Sequence, residues 1–433
     1  MRLSLAPAIQ VGKVLGISGS AARDSDAAVG QTRAYKRIVR TMRHITTLAL
    51  AGTLAFLAAC SSTQPDYSKE LPEGSPALLP LGPDEKRPDF HADFARKDEI
   101  LPALDQSIAW TKKKTSPRWF PVEGVSSARA LASLERFREL LTTTKSAEEF
   151  DAKLGEEFTV YKSAGWDGRG GGVLFTAYCT PILRGSPIAT PEFRHPLYAL
   201  PPDLVKGPEG EILGQKVGNA TQLYPVRRVI EATGMLKKKN LELAWLADPV
   251  DAYIAHVNGS AFIRLPDGEM LRLGYAGKNG REYASLGKAL IDAKELKKDG
   301  VSLASIRAWA KANPAKVQQF LDKNDSYVFF QGIAGNPHGS LNVPVTGYRS
   351  VATDKRLFPR GALTWAHGRI GTEYGAELDR FLFDQDTGGA IRTAGRADVY
   401  IGVGDEAEKI AGATRQEGQL YYLFLKEGSE PKP

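Results

Sequence analysis

Hydrophobic spacing divides the chain into a helical first part and a strand-rich remainder. Ile100, Leu101, Leu104, Ile108 and Ala109 recur near the helical period, and so do Leu131, Leu134, Phe137, Leu140 and Leu141. Ser146 followed three residues later by Glu149 matches a capping box, with Phe150 and Leu154 opening the apolar face behind it. Val173 to Thr180 reads as a strand stopped by Pro181. From there to about Lys323 the chain is turn-rich, with short strands predicted at 252–257 and 261–265 and helices at about 285–298 and 302–323. Asn279-Gly280 follows the apolar run 271–275 and predicts a type I′ turn. Alternating apolar runs return at 350–354, 362–366, 381–386, 397–401 and 420–425, separated by Gly and Pro, and suggest a small barrel.

The N-terminal pattern is different. Residues 45–59 are fifteen positions without a charge, preceded by Lys36, Arg37, Arg40 and Arg43 and followed by Cys60. That length suits the core of a signal peptide and is short for a membrane span. Leu57-Ala58-Ala59-Cys60 resembles the bacterial lipoprotein processing box, which would make Cys60 a lipidation site and 42–59 the signal peptide. Ser61 after the cysteine fits sorting to the periplasmic face of the outer membrane. Residues 1–41 are too long and mixed to belong to that signal and read as an extra or mis-assigned extension, with Met42 the start. Residues 60–95 carry Pro65, Pro72, Pro76, Pro80, Pro83 and Pro88 and are expected to form an extended tether.

Charge sharpens the reading. Residues 1–59 hold eight Lys/Arg against two Asp/Glu, so of the formal +7 only +1 belongs to residues 60–433. A nearly neutral body argues against a nucleic-acid partner. With Cys60 set aside, Cys179 is alone, so no intrachain disulfide is expected. The six histidines show no metal-ligand spacing, and Gly168–Gly172 lacks the Lys-Ser/Thr and helix of a phosphate loop. Neither a metal nor a cofactor is implied.

The richest stretch is 381–400, FLFDQDTGGAIRTAGRADVY. Asp384 and Asp386 stand two apart in an extended run, so their side chains share a face. Gly388 and Gly389 follow and leave space for a bulky ligand, and Asp398 sits in the next strand.

Four blocks, in order, are similar to those of the membrane-bound lytic murein transglycosylase A family. They are Leu273-Gly274-Tyr275-Ala276-Gly277-Lys278-Asn279-Gly280 with Arg281–Gly287, Asp325–Phe330, Val351–Lys355 with Phe358–Gly361, and Asp384–Ile391 with Arg396-Ala397-Asp398. The last resembles the 3D domain, whose three aspartates would here be Asp354, Asp386 and Asp398. The resemblance covers roughly 96–426 and implies a mainly β fold with flanking helices. A double-psi β-barrel would be built from 96–184 and 323–433, with the 3D domain at about 343–426. A smaller, inserted β domain would span 185–322, with a glycan groove between the two. It implies cleavage of the MurNAc–GlcNAc β-1,4 bond of peptidoglycan with a 1,6-anhydro end, and places the catalytic acid on Asp386. Asp354, Asp398 and Asp384 would support it. Tyr178, Thr180, Tyr275, Lys278, Asn279, Tyr283, Gly388 and Gly389 would meet substrate. Two blocks depart from the pattern: Ala177-Tyr178-Cys179-Thr180-Pro181 for Gly-Tyr-Tyr-x-Pro, and Asn258-Gly259-Ser260 for Gln-Gly-Ser.

Such a reaction needs one titrating group, because the sugar's own C6 hydroxyl replaces water as nucleophile. The acid must then stay protonated near neutral pH, through burial or a like-charged neighbour such as Asp384 or Asp398. Two readings compete: a wall-binding lipoprotein with an inactive site, and a hydrolase using Asp384 and Asp386 as a carboxylate pair. Peptidoglycan strands and a lipid-held membrane are the expected partners, with cell-wall synthesis or division proteins as further candidates.

Overall fold

The computed structural model describes residues 65–429 apart from 83, 208–211, 238, 299–300 and 373–374. The expected extension at 1–41, the signal at 42–59 and Cys60 lie outside the described residues. Among those described, no helix is long and apolar enough to cross a membrane.

Six strands close the first barrel in the order Val173–Thr180, Arg396–Val403, Ser350–Ala352, Arg380–Asp386, Leu363–His367 and Arg415–Leu425, the last pairing back to the first. Two of the pairings are parallel, Arg396–Val403 with Val173–Thr180 and Ser350–Ala352 with Arg380–Asp386. Parallel neighbours require crossovers, so the chain weaves across the barrel in the expected double-psi manner. Phe158–Ser163 and Leu78–Pro80 extend the sheet beyond Arg415–Leu425.

The strand Arg380–Asp386 is buried on both sides from Phe381 to Gln385. Leu382 packs inside the barrel with Phe175, Val351 and Tyr422. Phe381 and Phe383 face outward beneath helices Lys97–Thr111 and Ser127–Thr143, among Phe90, Phe137 and Trp365. The ring of Phe381 lies 4.8 Å from those of Trp365 and Phe137 and 5.3 Å from that of Phe90.

A second six-stranded sheet forms the insert: Val328–Gly332, Met270–Lys278, Ala261–Arg264, Ile182–Ser186, Glu242–Leu246 and His195–Tyr198. A bridge between Ala199 and Phe330 closes it. In chain order its first strand, Ile182–Ser186, begins before the expected limits of 185–322 and its last, Val328–Gly332, lies beyond them, so the second barrel takes a few residues more on each side. Helices Pro249–Asn258, Leu286–Asp292, Leu303–Ala312 and Pro314–Leu321 pack together on its flank.

The structure corrects several sequence expectations. Residues 252–257 form part of the helix Pro249–Asn258, because Asp248 caps the Val250 amide at 2.8 Å and Pro249 opens the first turn. The helix expected at 302–323 breaks at Asn313, where Pro314 starts a new one. Asn279 has no positive φ, so no type I′ turn forms there; only Gly280 is left-handed, at +74°.

The largest correction concerns the tether. From Ala77 onward the segment is packed rather than extended in solvent. Leu78–Pro80 pairs with Phe158–Ser163, and Phe90 is fully buried. Asp93 is also fully buried, paired with the equally buried Arg349. Pro80 is itself part of the strand Leu78–Pro80, and the apolar residues that pack are too sparse to show a period.

A chain beginning near Arg96, the boundary suggested by the sequence, would therefore leave Arg349 buried with Glu99 as its one remaining acid. We expect Asp93→Asn to lower unfolding free energy by about 3–5 kcal/mol, the usual cost of breaking a buried ion pair from one side. Urea unfolding followed by circular dichroism measures it, and deletion of residues 65–95 should abolish the folding transition.

Candidate functional site

Arg380–Asp386 delivers Asp386 to the mouth of the first barrel, where a groove of about 1340 Å³ separates the two barrels. The carboxylate is held by three donors. Tyr178 donates its hydroxyl to Oδ2 at 2.7 Å, and the amides of Ser340 and Thr387 donate to Oδ1 at 2.8 Å each. Burial pushes the carboxyl above its ordinary range, while these three bonds and the nearby Lys355 pull the other way without cancelling it.

The donors come from distant parts of the chain. Tyr178 stands on Val173–Thr180, and the Tyr400 ring lies against it at 5.1 Å. Burial holds the Tyr178 phenol far above its usual pKa, so it remains a donor. Ser340 belongs to a turn whose close approach requires Gly339. A Cβ there would sit 2.7 Å from the Gln385 carbonyl oxygen and 3.1 Å from Asp386 Cγ. Gly389 likewise meets Tyr283, whose Cβ would lie 3.0 Å from an added methyl group.

Asp384 does not act as a neighbour of Asp386. The pairing with Ser350–Ala352 shifts register between them, placing Val351 opposite Asp384 and Ala352 opposite Asp386. Asp384 is fully buried and forms an ion pair with Lys355. Thr353 and Tyr422 donate to its Oδ2 at 2.7 and 2.9 Å. Its charge is matched there, so burial rather than Asp384 lifts Asp386. It does not line the groove, which removes the geometry that a hydrolytic Asp384/Asp386 pair needs.

Asp398 is the acid coupled to Asp386. Burial and, to a lesser degree, the charge of Asp386 raise it to about 6, against hydrogen bonding from Thr176 at 2.7 Å and the charge of Arg396. Thr176 also accepts from Arg396 at 3.2 Å and so bridges the acid to its cation. Asp354 is buried on a two-point ion pair with Arg356, at 2.7 Å from Nη2 and 3.0 Å from Nε. Its place is structural support for the turn after Ser350–Ala352.

Of the expected substrate contacts, Tyr178, Tyr275, Lys278, Tyr283, Gly388 and Gly389 all line the groove. Thr180 and Asn279 do not. Thr180 is buried behind the wall, 3.1 Å from the Ser260 hydroxyl and 2.9 Å from that of Tyr400. Asn279 is buried too: its amide donates to the Pro225 and Asp325 carbonyls at 2.9 and 2.8 Å and accepts from the Tyr327 amide at 2.9 Å. It fastens the insert's strand end to a neighbouring loop. Asn258 and Ser260, from one of the two blocks that depart from the family pattern, also line the groove. Sequence reasoning missed Ser340, Gly339 and Thr176. The first contributes a backbone amide and the second an absence of side chain, neither of which a residue type reveals; the threonine lay inside a run read only as a strand.

Among the described residues, one group has metal-ligand geometry: Asp89, His91 and Asp151. It is not part of the groove, and Asp151 is already paired with Arg87, whose charge opposes a cation.

Comparison with known proteins gives consistent matches. The MltA specific insert domain matches residues 174–331 and the 3D domain matches 349–424. The membrane-bound lytic murein transglycosylase A of Escherichia coli K12 is 30% identical over 401 residues, covering 89% of this chain and 98% of that protein. Its Vibrio cholerae counterpart is 33% identical over 272 residues, covering 61% and 68% respectively. The membrane-bound lytic murein transglycosylase of Agrobacterium tumefaciens superposes with a TM-score of 0.69 at 26% identity, over 81% of this chain and 98% of that one. E. coli MltA with bound chitohexaose gives 0.62 at 26%, over 82% and 97%.

The raised Asp398 carboxyl fixes a pH dependence of stability. Its value climbs from 3.8 to about 6 on folding, so between those limits the folded protein binds the extra proton. Stability attributable to this group is therefore complete at low pH, falls as pH rises through that window and stays lower above it. Asp398→Asn keeps the Thr176 bond without the charge. It should raise the melting temperature relative to wild type at about pH 8 and leave it nearly unchanged at about pH 4.

Proposed function

The chain belongs to the membrane-bound lytic murein transglycosylase A family and is a lytic transglycosylase of peptidoglycan, and from that premise we propose that Asp386 alone serves as its acid and base. The observation that carries this is the asymmetry of its hydrogen bonds. Oδ1 accepts two backbone amides, which can only donate, so a proton on Asp386 resides on Oδ2. Burial favours that protonated form.

In the first step Oδ2–H gives its proton to the glycosidic oxygen between MurNAc and GlcNAc, and the bond to C1 breaks. The carboxylate so formed is stabilised by Tyr178 and the two amides, already in place. In the second step it removes the proton of the C6 hydroxyl while that oxygen attacks C1 of the same sugar. The product is a 1,6-anhydro-muramyl end, water is not consumed, and the enzyme regains its proton. An intramolecular nucleophile carries the entropic advantage that a bound water lacks. Lys355 and Asp384 neutralise one another beside the site, leaving Asp386 to move the proton.

Asp386→Asn keeps the shape but can neither give nor take a proton. We expect at least the roughly 10²–10⁴-fold loss of rate typical of general acid–base catalysis, with glycan binding retained. Incubation with peptidoglycan and mass analysis of soluble muropeptides measures both product and rate. Anhydro-muropeptides released by Asp386→Asn near the wild-type rate would overturn the assignment. Reducing ends from the wild type would point to hydrolysis.

We further propose that the protein is anchored by lipid at Cys60 and faces the periplasm from the outer membrane. The fifteen uncharged residues at 45–59 and the Ala58-Ala59-Cys60 box support this. Cys60→Ala should leave an unprocessed or unanchored protein on membrane fractionation. Normal processing and membrane recovery of that variant would sink the idea.

A further inference from the structure

The groove carries more positive charge than a neutral glycan requires. Four of its cationic side chains are matched by acids: Lys355 by Asp384, Arg356 by Asp354, Arg227 by Glu231 and Arg392 by Glu282. Three others, Arg360, Lys206 and Lys278, have no carboxylate within ion-pair distance among the described residues. Residues 60–433 carry a net charge of only +1, so this excess is local.

The three stand on both walls. Arg360 is on the first barrel, its guanidinium 4.1 Å from the centre of the Trp119 ring and 3.3 Å from the Lys355 carbonyl oxygen. Stacking on the indole fixes the plane of the fork and leaves the rest of its donors uncommitted. Lys206 and Lys278 share the insert's wall. Lys206 donates to the Ala276 carbonyl at 3.1 Å, and its Nζ would lie 3.8 Å from a Cβ on Gly277, beside Lys278.

Each amino sugar of the glycan is uncharged when its lactyl group is amide-linked. The negative charge of peptidoglycan is on its branches, as carboxylates of the stem peptides or as free lactyl carboxylates where stems have been removed. We propose that Arg360 and Lys206, with Lys278 lining the same groove, bind those branch carboxylates, so that the groove favours a branched anionic strand over an uncharged chitin-type one. This rests on the glycan-cleaving function proposed above. Arg360, half-buried and oriented by its indole, and the lysines of the facing wall can hold carboxylates through charge-assisted bonds, which are strong enough to discriminate between strands of the same backbone.

The test measures binding by the Asp386→Asn protein, so that strands are not consumed, with Arg360→Gln, Lys206→Gln and Arg360→Lys added separately. Three ligands are compared: chitohexaose, short strands bearing stem peptides, and amidase-treated strands with free lactyl carboxylates. Each Gln variant should weaken binding of stem-bearing strands by about tenfold, the scale of one charge-assisted bond, and leave chitohexaose within about twofold. Arg360→Lys should recover part of the loss, and added salt should reduce wild-type preference. A loss confined to stem-bearing strands assigns the stem carboxylates, a loss confined to amidase-treated strands assigns the free lactyl carboxylates, and a loss on both shows that the groove accepts either branch carboxylate. Equal losses on chitohexaose, or no loss on any ligand, would overturn the proposal. Failure of the Asp386→Asn protein to bind any of the three would instead count against the glycan function itself.

Discussion

One buried ion pair ties the segment ahead of the helices to the first barrel. Asp93, from the segment ahead of the helices, accepts from Arg349 and from the Phe381 amide, the latter at 2.8 Å. Arg349 in turn donates to the Phe381 carbonyl at 3.1 Å, and its own carbonyl accepts from the Phe383 amide at 2.7 Å. The pair thus grips the beginning of the strand that ends in Asp386. Both partners are wholly buried, so the fold is paying desolvation for two charges and recovers it only if every one of these bonds is made. Helix packing, strand position and site geometry depend on the same few atoms.

The site itself shows how one strand separates two chemistries that its sequence makes look alike. Asp384 and Asp386 share a face by alternation, yet a register shift gives them different company. The first is neutralised inside the barrel by a lysine and two hydroxyls. The second emerges at the groove with amides and a tyrosine around it. A carboxylate surrounded by donors that cannot titrate near neutral pH is placed to cycle its own proton.

Much of the architecture was legible in the chain, and the failures have physical causes. Amphipathic spacing located helices Ser127–Thr143 and Ala147–Glu157 because each buries a continuous stripe. The five late runs each became a strand of the closed sheet, since apolar β-runs bounded by Gly and Pro have few alternatives. The Asp-x-Gly-Gly block pointed to Asp386, which lines the groove. What was not legible depends on long-range contact. Proline-rich sequence concealed a packed segment because Asp93 finds Arg349 only in three dimensions. Thr180 and Asn279 have side chains suited to a sugar, but their partners, Tyr400 and the Asp325 carbonyl, lie far along the chain. The bulge that parts Asp384 from Asp386 is set by pairing, which local spacing does not encode.

The order in which the chain crosses the barrel has a consequence for its biogenesis. Tyr178 precedes the insert and Asp386 follows it, 208 residues later. Val173–Thr180 remains an open edge until Arg396–Val403 and Arg415–Leu425 arrive to flank it on both sides. The insert's own strands all lie between Ile182 and Gly332 and can pair before that. A polypeptide emerging N-terminus first therefore has the insert's wall of the groove ahead of the Asp386 pocket. Contacts of such long sequence separation form late and slowly. An emerging chain cannot assemble the Asp386 pocket until Arg396–Val403 and Arg415–Leu425 are free to close the barrel, so topology alone delays the pocket until both strands have emerged.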